Sequence, residues 1–331
     1  MMRIGRTLLL VTMTCLALPG FAQNPADLTF VLAPANGRTT FRMGEAIDVE
    51  FRISSTAPGK YVLEDNYRAK FIADPSDGIV NPQVQGASVP AGVLIGSTGR
   101  SGPGLRLITL NTNPTVRQRQ LNAFFSFRKP GHYRIIAETD TVALSDGQSG
   151  GEMRGRINVR SNAIEIDIIK PETGWAESQL QANLALLAQW TPTPPPQAGQ
   201  RSINNPQGEL AAIAGVRALG LLETREAALA LVEMYGKGVP VSISQYIDQG
   251  LRRSPYSGEI IAAMEKQIDA PDVPITRQWF GVFSDLEMMA ISSPPDRAKV
   301  YTQCREKVIA GIEKKRGEAR EISFRTVAQL N

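Results

Sequence analysis

His132 is the one histidine in a chain of 331 residues. A centre that needs two imidazoles is therefore excluded, and a Ser-His-Asp triad would rest on that residue alone. Gly147-Gln148-Ser149-Gly150-Gly151 matches G-x-S-x-G. That motif works on a strained strand-to-helix turn and takes its base from a later His. Here the flanks read as strand and loop, and no His follows, so the segment reads as a hairpin loop. Ser126-Phe127-Arg128-Lys129 matches S-x-x-K. In acylating enzymes this motif opens a helix and has partners such as K-T-G. Here it runs along a strand into Pro130-Gly131, and no K-T-G occurs.

Carboxylates offer a second kind of chemistry. Glu64 and Asp65 are adjacent, and Glu138 and Asp140 stand two apart on a strand. The latter pair shares a face at about 6–7 Å, from the strand rise. That spacing is compatible with glycoside hydrolysis, so a hydrolase using Glu138 and Asp140 is one alternative, although no aromatic platform surrounds the pair. Asp74-Pro75-Ser76-Asp77-Gly78 would give Ca²⁺ two carboxylates, but the EF-hand spacing and its bidentate Glu are missing. It reads as an Asp-rich turn. Gly99-Arg100-Ser101-Gly102-Pro103-Gly104 has neither a P-loop Lys nor a strand-turn-helix frame. No catalytic, cofactor-binding or metal-ligating residue is assigned, no cofactor is expected, and the chain is read as a non-enzyme.

The N-terminus has the pattern of an export signal. Arg3 and Arg6 precede an apolar run from Leu8 to Leu18, and Gly20-Phe21-Ala22 supplies small residues for a signal peptidase. Cleavage is expected after Ala22, which implies a periplasmic or secreted protein. The run is shorter than the ~20 residues that span a bilayer, and no later segment is long and apolar enough to insert. Cys15 follows Thr12-Met13-Thr14, which is not a lipidation context. Loss of Arg3 and Arg6 takes the formal net charge from +4 to +2. A nucleic-acid footprint would need Lys and Arg clustered on one face. Lys314-Lys315-Arg316, flanked by Glu313 and Glu318, is the only basic clump, and it reads as a solvated helix face. Nucleic acid is therefore not an expected partner. Only Cys304 would remain after cleavage. It shares a helical pattern with Val300, Val308 and Ile312, as a buried small hydrophobe does.

The elements that must carry these residues fall into two halves. From Asp27 to Lys170 the apolar period is mostly two, as in Ile47 to Ile53 and Ile164 to Ile168. Turn pairs such as Pro58-Gly59 and Pro130-Gly131 separate such runs. Short strands at this spacing predict an antiparallel sandwich. Tyr133, opening a strand after Pro130-Gly131, resembles the tyrosine corner of immunoglobulin-like sandwiches. Val80 to Gly104 reads as a long exposed loop, with a short strand near Val93-Leu94-Ile95.

From Pro171 the period becomes helical. Helices are expected over Trp175–Trp190, Glu209–Leu222, Glu223–Tyr235, Val241–Arg253, Ser257–Ile268 and Pro274–Ala290, then one or two from Asp296 to about Ala328. Thr191 to Pro196 is an extended, semi-rigid spacer. Leu210, Ile213, Val216 and Leu219 lie close to one face of their helix. The domains are read as a signal peptide (1–22), a β-sandwich (23–170), a helix with a Pro-rich linker (171–205) and a helical-repeat domain (206–331).

Two resemblances follow from these residues. Val216-Arg217-Ala218-Leu219-Gly220 with Ala227-Ala228-Leu229-Ala230-Leu231 resembles a HEAT-type repeat. Ile247 to Ile268 echoes it through Gly250 and Leu251, with Arg252 and Arg253 departing from the motif. Phe41-Arg42-Met43-Gly44-Glu45, Ser161-Asn162-Ala163-Ile164 and Lys170-Pro171 resemble the sandwich of uncharacterised bacterial exported proteins that pair such a domain with HEAT-like helices. The first of these segments is also similar to macroglobulin-like and protease-inhibitor-like sandwiches. The resemblance implies all-β plus all-α in two domains: an antiparallel Ig-like β-sandwich followed by a short HEAT-like α-solenoid. It brings no functional residues. The leading expectation is an exported, non-catalytic scaffold that binds another envelope or secreted protein. A protease inhibitor presenting Gly86 to Gly104 is the other alternative.

Overall fold

The computed structural model describes residues 24–65, 69–74, 79–80, 94–95, 106–123, 126–145, 154–190, 206–237, 239–289, 291 and 293–329. The strands come first: β1 (Leu28–Pro34), β2 (Thr40–Arg42), β3 (Asp48–Ser55), β4 (Tyr61–Glu64), β5 (Lys70–Asp74), β6 (Ile79–Val80), β7 (Leu94–Ile95), β8 (Leu107–Thr109), β9 (Thr115–Gln120), β10 (Ser126–Phe127), β11 (Gly131–Leu144), β12 (Arg154–Arg160) and β13 (Ile164–Ile169). The helices follow: α1 (Trp175–Ala188), α2 (Pro206–Leu222), α3 (Arg225–Gly236), α4 (Val241–Arg253), α5 (Ser257–Asp269), α6 (Arg277–Met288), α7 (Pro294–Ile312) and α8 (Gly317–Ala328). The chain is thus β in its first half and α in its second, as the change of period at Pro171 predicts. Among the described residues, no helix is long and apolar enough to cross a membrane.

Alternation in β3 buries Val49, Phe51, Ile53 and Ser55 and leaves Asp48, Glu50 and Arg52 outward. β3 is the middle of a three-stranded antiparallel sheet in the order β1-β3-β9. A larger sheet runs β2-β13-β11-β4-β8, with β12 and β5 also pairing with the long strand β11. The β2–β13 pair is parallel, unlike the antiparallel order expected throughout. A third, two-stranded sheet pairs β10 with β6, and all three contribute to one apolar core. Phe51 of the three-stranded sheet meets Phe71 of the large one at 5.6 Å between ring centroids. Tyr133 is buried, and its hydroxyl donates to the Lys129 carbonyl at 2.8 Å, tying the start of β11 to the preceding turn.

The edge strand β9 carries charge on its inner side. Its register pairs Arg117 with Phe51 and Arg119 with Val49, so both arginines share the side of core residues. Arg117 ends on Asp65, just past β4 of the other sheet. Inward charge at an edge discourages pairing with a second chain.

The helical half has its own core. Helix α2 packs beside α1 and α4, and α4 beside α6, while α3 packs beside α5 and α5 beside α7. Two layers result, joined by short turns. Trp279, Phe280 and Phe283 are wholly enclosed, and the Trp279 Nε1 donates to Gln267 Oε1 at 2.7 Å. Helix α1, from the segment read as helix and linker, puts Leu180 and Leu187 into this same core. Leu210 is 65% exposed, against the sequence expectation of an inward face. Val216 and Leu219 of the expected face are buried, Ile213 packs partly buried against the core, and Ala212 takes the place expected of Leu210. The last helical stretch is two helices, α7 and α8, separated by residues 313–316, with Gly317 at φ 48° opening α8.

Candidate functional site

The residues singled out for chemistry are scattered over the fold, and cations hold the carboxylates among them. Glu64 is buried and accepts from Arg156 Nη2 at 2.8 Å. Asp65 pairs with Arg117 instead. Glu138 lies between Arg160 at 3.7 Å and Lys70 at 3.8 Å. Asp140 faces Arg156 at 3.9 Å. A register shift between Thr139 and Val142 breaks the plain alternation that put Glu138 and Asp140 on one face. Each of the four carboxylates thus faces an arginine or lysine, Glu64 from a buried position.

His132 stands exposed on β11, opposite Asp167 of β13. Its Nδ1 is 2.8 Å from Asp167 Oδ1 and its Nε2 is 2.7 Å from Glu165 Oε2. Hydrogen bonds to Asp167 first, and to Glu165 next, raise its pKa above the ordinary 6.5. Cys304 is buried, as its helical pattern predicts, and burial pushes its thiol up to about 11. Asp74 ends β5, while residues 75–78, 99–104 and 146–153 lie outside the described residues. The turn read as a possible Ca²⁺ site, the Gly-rich loop and the G-x-S-x-G segment therefore lie there too.

Lys315 corrects the reading of Lys314-Lys315-Arg316 as a solvated face. It is 2% exposed. Its ammonium donates to the carbonyls of Gln267 and Ala270, each at 2.6 Å. These carbonyls lie at the C-terminal end of α5, where the last C=O groups of a helix lack internal partners and a cation suits the dipole. Burial pushes its pKa down to about 8.

The fold brings Ser126 of the S-x-x-K segment into a cluster with Glu223 and Arg253. Ser126 is buried, and its hydroxyl donates to Glu223 Oε1. It accepts from Arg253 Nη2 at 2.9 Å. Arg253 ends α4 and is 7% exposed. Its Nη1 donates to the Asn122 carbonyl at 2.7 Å, and its Nη2 is 3.8 Å from Glu223 Oε1. Burial lowers the Arg253 pKa to about 10, with the Glu223 charge opposing that shift and the Arg128 charge adding to it. It is therefore a cation at neutral pH.

Glu223 is not the first residue of a helix, as the sequence suggested. It sits in the turn between α2 and α3 at φ 50°, the left-handed region that non-glycine residues rarely adopt. Thr224 takes over as N-cap, accepting from the Ala227 amide at 3.2 Å. The turn aims the Glu223 carboxylate at Ser126 and at Arg128, the latter 3.1 Å away. Asn122 completes the arrangement from the β side. It accepts from the Ile47 amide at 3.1 Å and donates to the Glu45 carbonyl at 2.6 Å. Nearby, Arg217 of α2 donates to Gln120 Oε1 of β9 at 2.9 Å. Arg42, Gly44, Glu45, Asn122, Glu223 and Arg253 are among the residues lining a cleft of about 10 Å³. That is about the space one water occupies. Among the described residues, no group of three His, Cys, Asp or Glu side chains is arranged to hold a metal ion.

Sequence reading missed Arg253 and Glu223. Arg252 and Arg253 registered only as departures from the HEAT motif. Charged residues next to a helix end were the one available signal, and such residues are usually solvated.

No family model matches the chain, and no curated protein matches it. Among solved structures, a mutant β-glucosidase from Listeria innocua in complex with laminaribiose is 13% identical with a TM-score of 0.21 over 43% of this chain. The chain spans 16% of that enzyme's length. A structure described as catalysing macrocyclization in alchivemycin A biosynthesis is 14% identical with a TM-score of 0.22, covering 45% of this chain and 92% of that one. Likeness of this extent assigns neither fold family nor activity.

Proposed function

We propose that the chain is an exported, non-catalytic binding protein of the cell envelope, in which an Ig-like β-sandwich is joined to a short HEAT-like helical stack that binds another protein. The observation that carries this reading is the layering of α2, α4 and α6 beside α3, α5 and α7. Stacked hairpins of that kind present extended surfaces to partners. The close crossing of α2 and α4 at Gly220 and Gly250 fits the small residues of the repeat motif. The core shared by the three-stranded and the large sheet and the Tyr133 hydrogen bond support the sandwich reading. The engagement of Glu64, Asp65, Glu138 and Asp140 by cations favours binding over acid-base work.

Residues 23–331, immobilised and incubated with envelope extract, test the reading. A protein retained saturably, and lost when exposed helical residues Glu233 of α3 and Glu259 of α5 are changed to Lys, supports it. Retention unaffected by these changes and abolished by substitutions on the outer face of β3 moves the function to the sheets. No saturable retention from the extract overturns the protein-binding reading. The mass of the exported product tests the expected start at Gln23.

A further inference from the structure

We propose that Arg253, Glu223 and Ser126 form a latch that fixes the angle between the helical half and the β half, and that the left-handed turn at Glu223 serves to close it. This stands independently of what the protein binds. The three residues come from three places: the end of α4, the α2–α3 turn and β10. Arg253 lies beyond Leu251, the last wholly buried apolar residue of α4. Glu223 lies outside both helices that flank it.

The chemistry favours one orientation. A guanidinium withdrawn from water loses hydration that only well-placed acceptors replace. Arg253 finds them on the β half, at the Asn122 carbonyl at 2.7 Å and the Ser126 hydroxyl at 2.9 Å. Charge-assisted hydrogen bonds of this kind are directional, so sliding or tilting of the helices would strip them. An apolar contact would tolerate such movement better. Glu223 supplies the compensating charge from the helical side and reaches Arg128 on the β half. The positive φ at Glu223 carries a cost that surrounding contacts must offset. The backbones also meet closely, since a Cβ added at Gly44 would stand 3.2 Å from the Leu221 carbonyl oxygen. The cleft beside them, of about 10 Å³, has about the space of one water.

The test uses residues 23–331 with Arg253→Met, Glu223→Gln and Ser126→Ala. Hydrogen exchange is followed at the Ile47 amide, which Asn122 holds at the junction, and at Phe51 and Trp279 in the two cores. Small-angle scattering reports the radius of gyration. The latch predicts at least tenfold faster exchange at Ile47 and a larger radius in Arg253→Met, with Phe51 and Trp279 still protected. Glu223→Gln shifts both readouts in the same direction by less. Unchanged Ile47 exchange and scattering in both variants overturn the proposal. So does loss of protection at Phe51 or Trp279 in step with Ile47, because the residues would then stabilise a core rather than an angle. If Arg253→Met does not fold, Ser126→Ala, which removes one hydroxyl, decides on the same readouts.

Discussion

His132 is held between two carboxylates on an open strand surface, and its charge state follows from that placement. Hydrogen bonds to Asp167 and Glu165 favour the imidazolium, so the folded-state pKa lies above 6.5. The resulting stabilisation is fully present below the unfolded-state pKa and is lost as pH rises through the folded-state value. As the chain has no other histidine, imidazole NMR reads this titration directly. Asp167→Asn is expected to lower the midpoint toward 6.5. Asp248 illustrates the opposite environment. Burial pushes its carboxyl up to about 7, with the Arg252 charge opposing the shift. Among the described residues its Oδ1 has no hydrogen-bond partner, and Arg252 is itself drawn to Asp285. The folded state therefore binds a proton between about pH 4 and 7 that the unfolded state has released, and stability falls with rising pH across that window. Asp248→Asn is expected to gain on the wild type by roughly 1–4 kcal/mol between pH 4 and pH 8, at ~1.4 kcal/mol per pKa unit. Urea unfolding at the two pH values measures the difference.

At the scale of elements, two contacts hold the helical layers in register. Helices α2 and α4 cross where Gly220 faces Gly250. A Cβ on Gly250 would stand 2.9 Å from the Gly220 Cα and 2.7 Å from the Leu231 Cδ1. The Leu231 side chain can yield, but the backbone of α2 cannot without parting the helices. Gly250→Ala is therefore expected to destabilise by about 1–3 kcal/mol, as overpacking in a core does, with a lower urea midpoint. Alanine would ordinarily favour a helix interior by up to ~1 kcal/mol over glycine, so the sign of the change separates packing from propensity. Lys315 joins the α7–α8 turn to the end of α5 through two backbone carbonyls. Lys315→Met keeps the apolar stem and removes both bonds, at a cost of about 1–3 kcal/mol. A melt at neutral pH shows it as a lower Tm.

At the scale of the whole molecule, α1 belongs with the helices although it precedes the segment 191–205. Its Leu187 Cδ2 would be 3.2 Å from a Cβ on Gly215 of α2, and its Asn183 carbonyl oxygen 3.1 Å. A fragment of residues 171–331 is accordingly expected to unfold cooperatively, whereas residues 206–331, with the α1 face of α2 stripped bare, should melt lower and bind more of a hydrophobic dye. Equal melting of the two fragments would show that α1 adds nothing to the helical core. The start of this half is also tied back to the strands, with Arg42 Nε donating to Glu172 at 2.6 Å and the guanidinium lying 6.0 Å from the Trp175 ring centre. That pairing holds the Glu172 carboxyl down at about 2.

The sequence by itself determined the two kinds of secondary structure and the place where they change, because period is a local property. Ile47 to Ile53 can bury one face only as a strand, and Val241 to Arg253 only as a helix. It also determined that Cys304 would be buried, since its neighbours at helical spacing are apolar. Tertiary structure decided what the polar residues do. Lys315 and Arg253 carry the sequence marks of solvated helix ends, yet each is withdrawn from water by acceptors far away in the chain. The Gln267 and Ala270 carbonyls lie 48 and 45 residues from Lys315, and the Asn122 carbonyl lies 131 residues from Arg253. A hydrogen bond needs its partner within about 3 Å and correctly aimed, and no local pattern encodes which distant carbonyl will arrive there. For the same reason Glu138 and Asp140, promising by spacing, became separate ion pairs once β5, β12 and the irregularity in β11 set their neighbours.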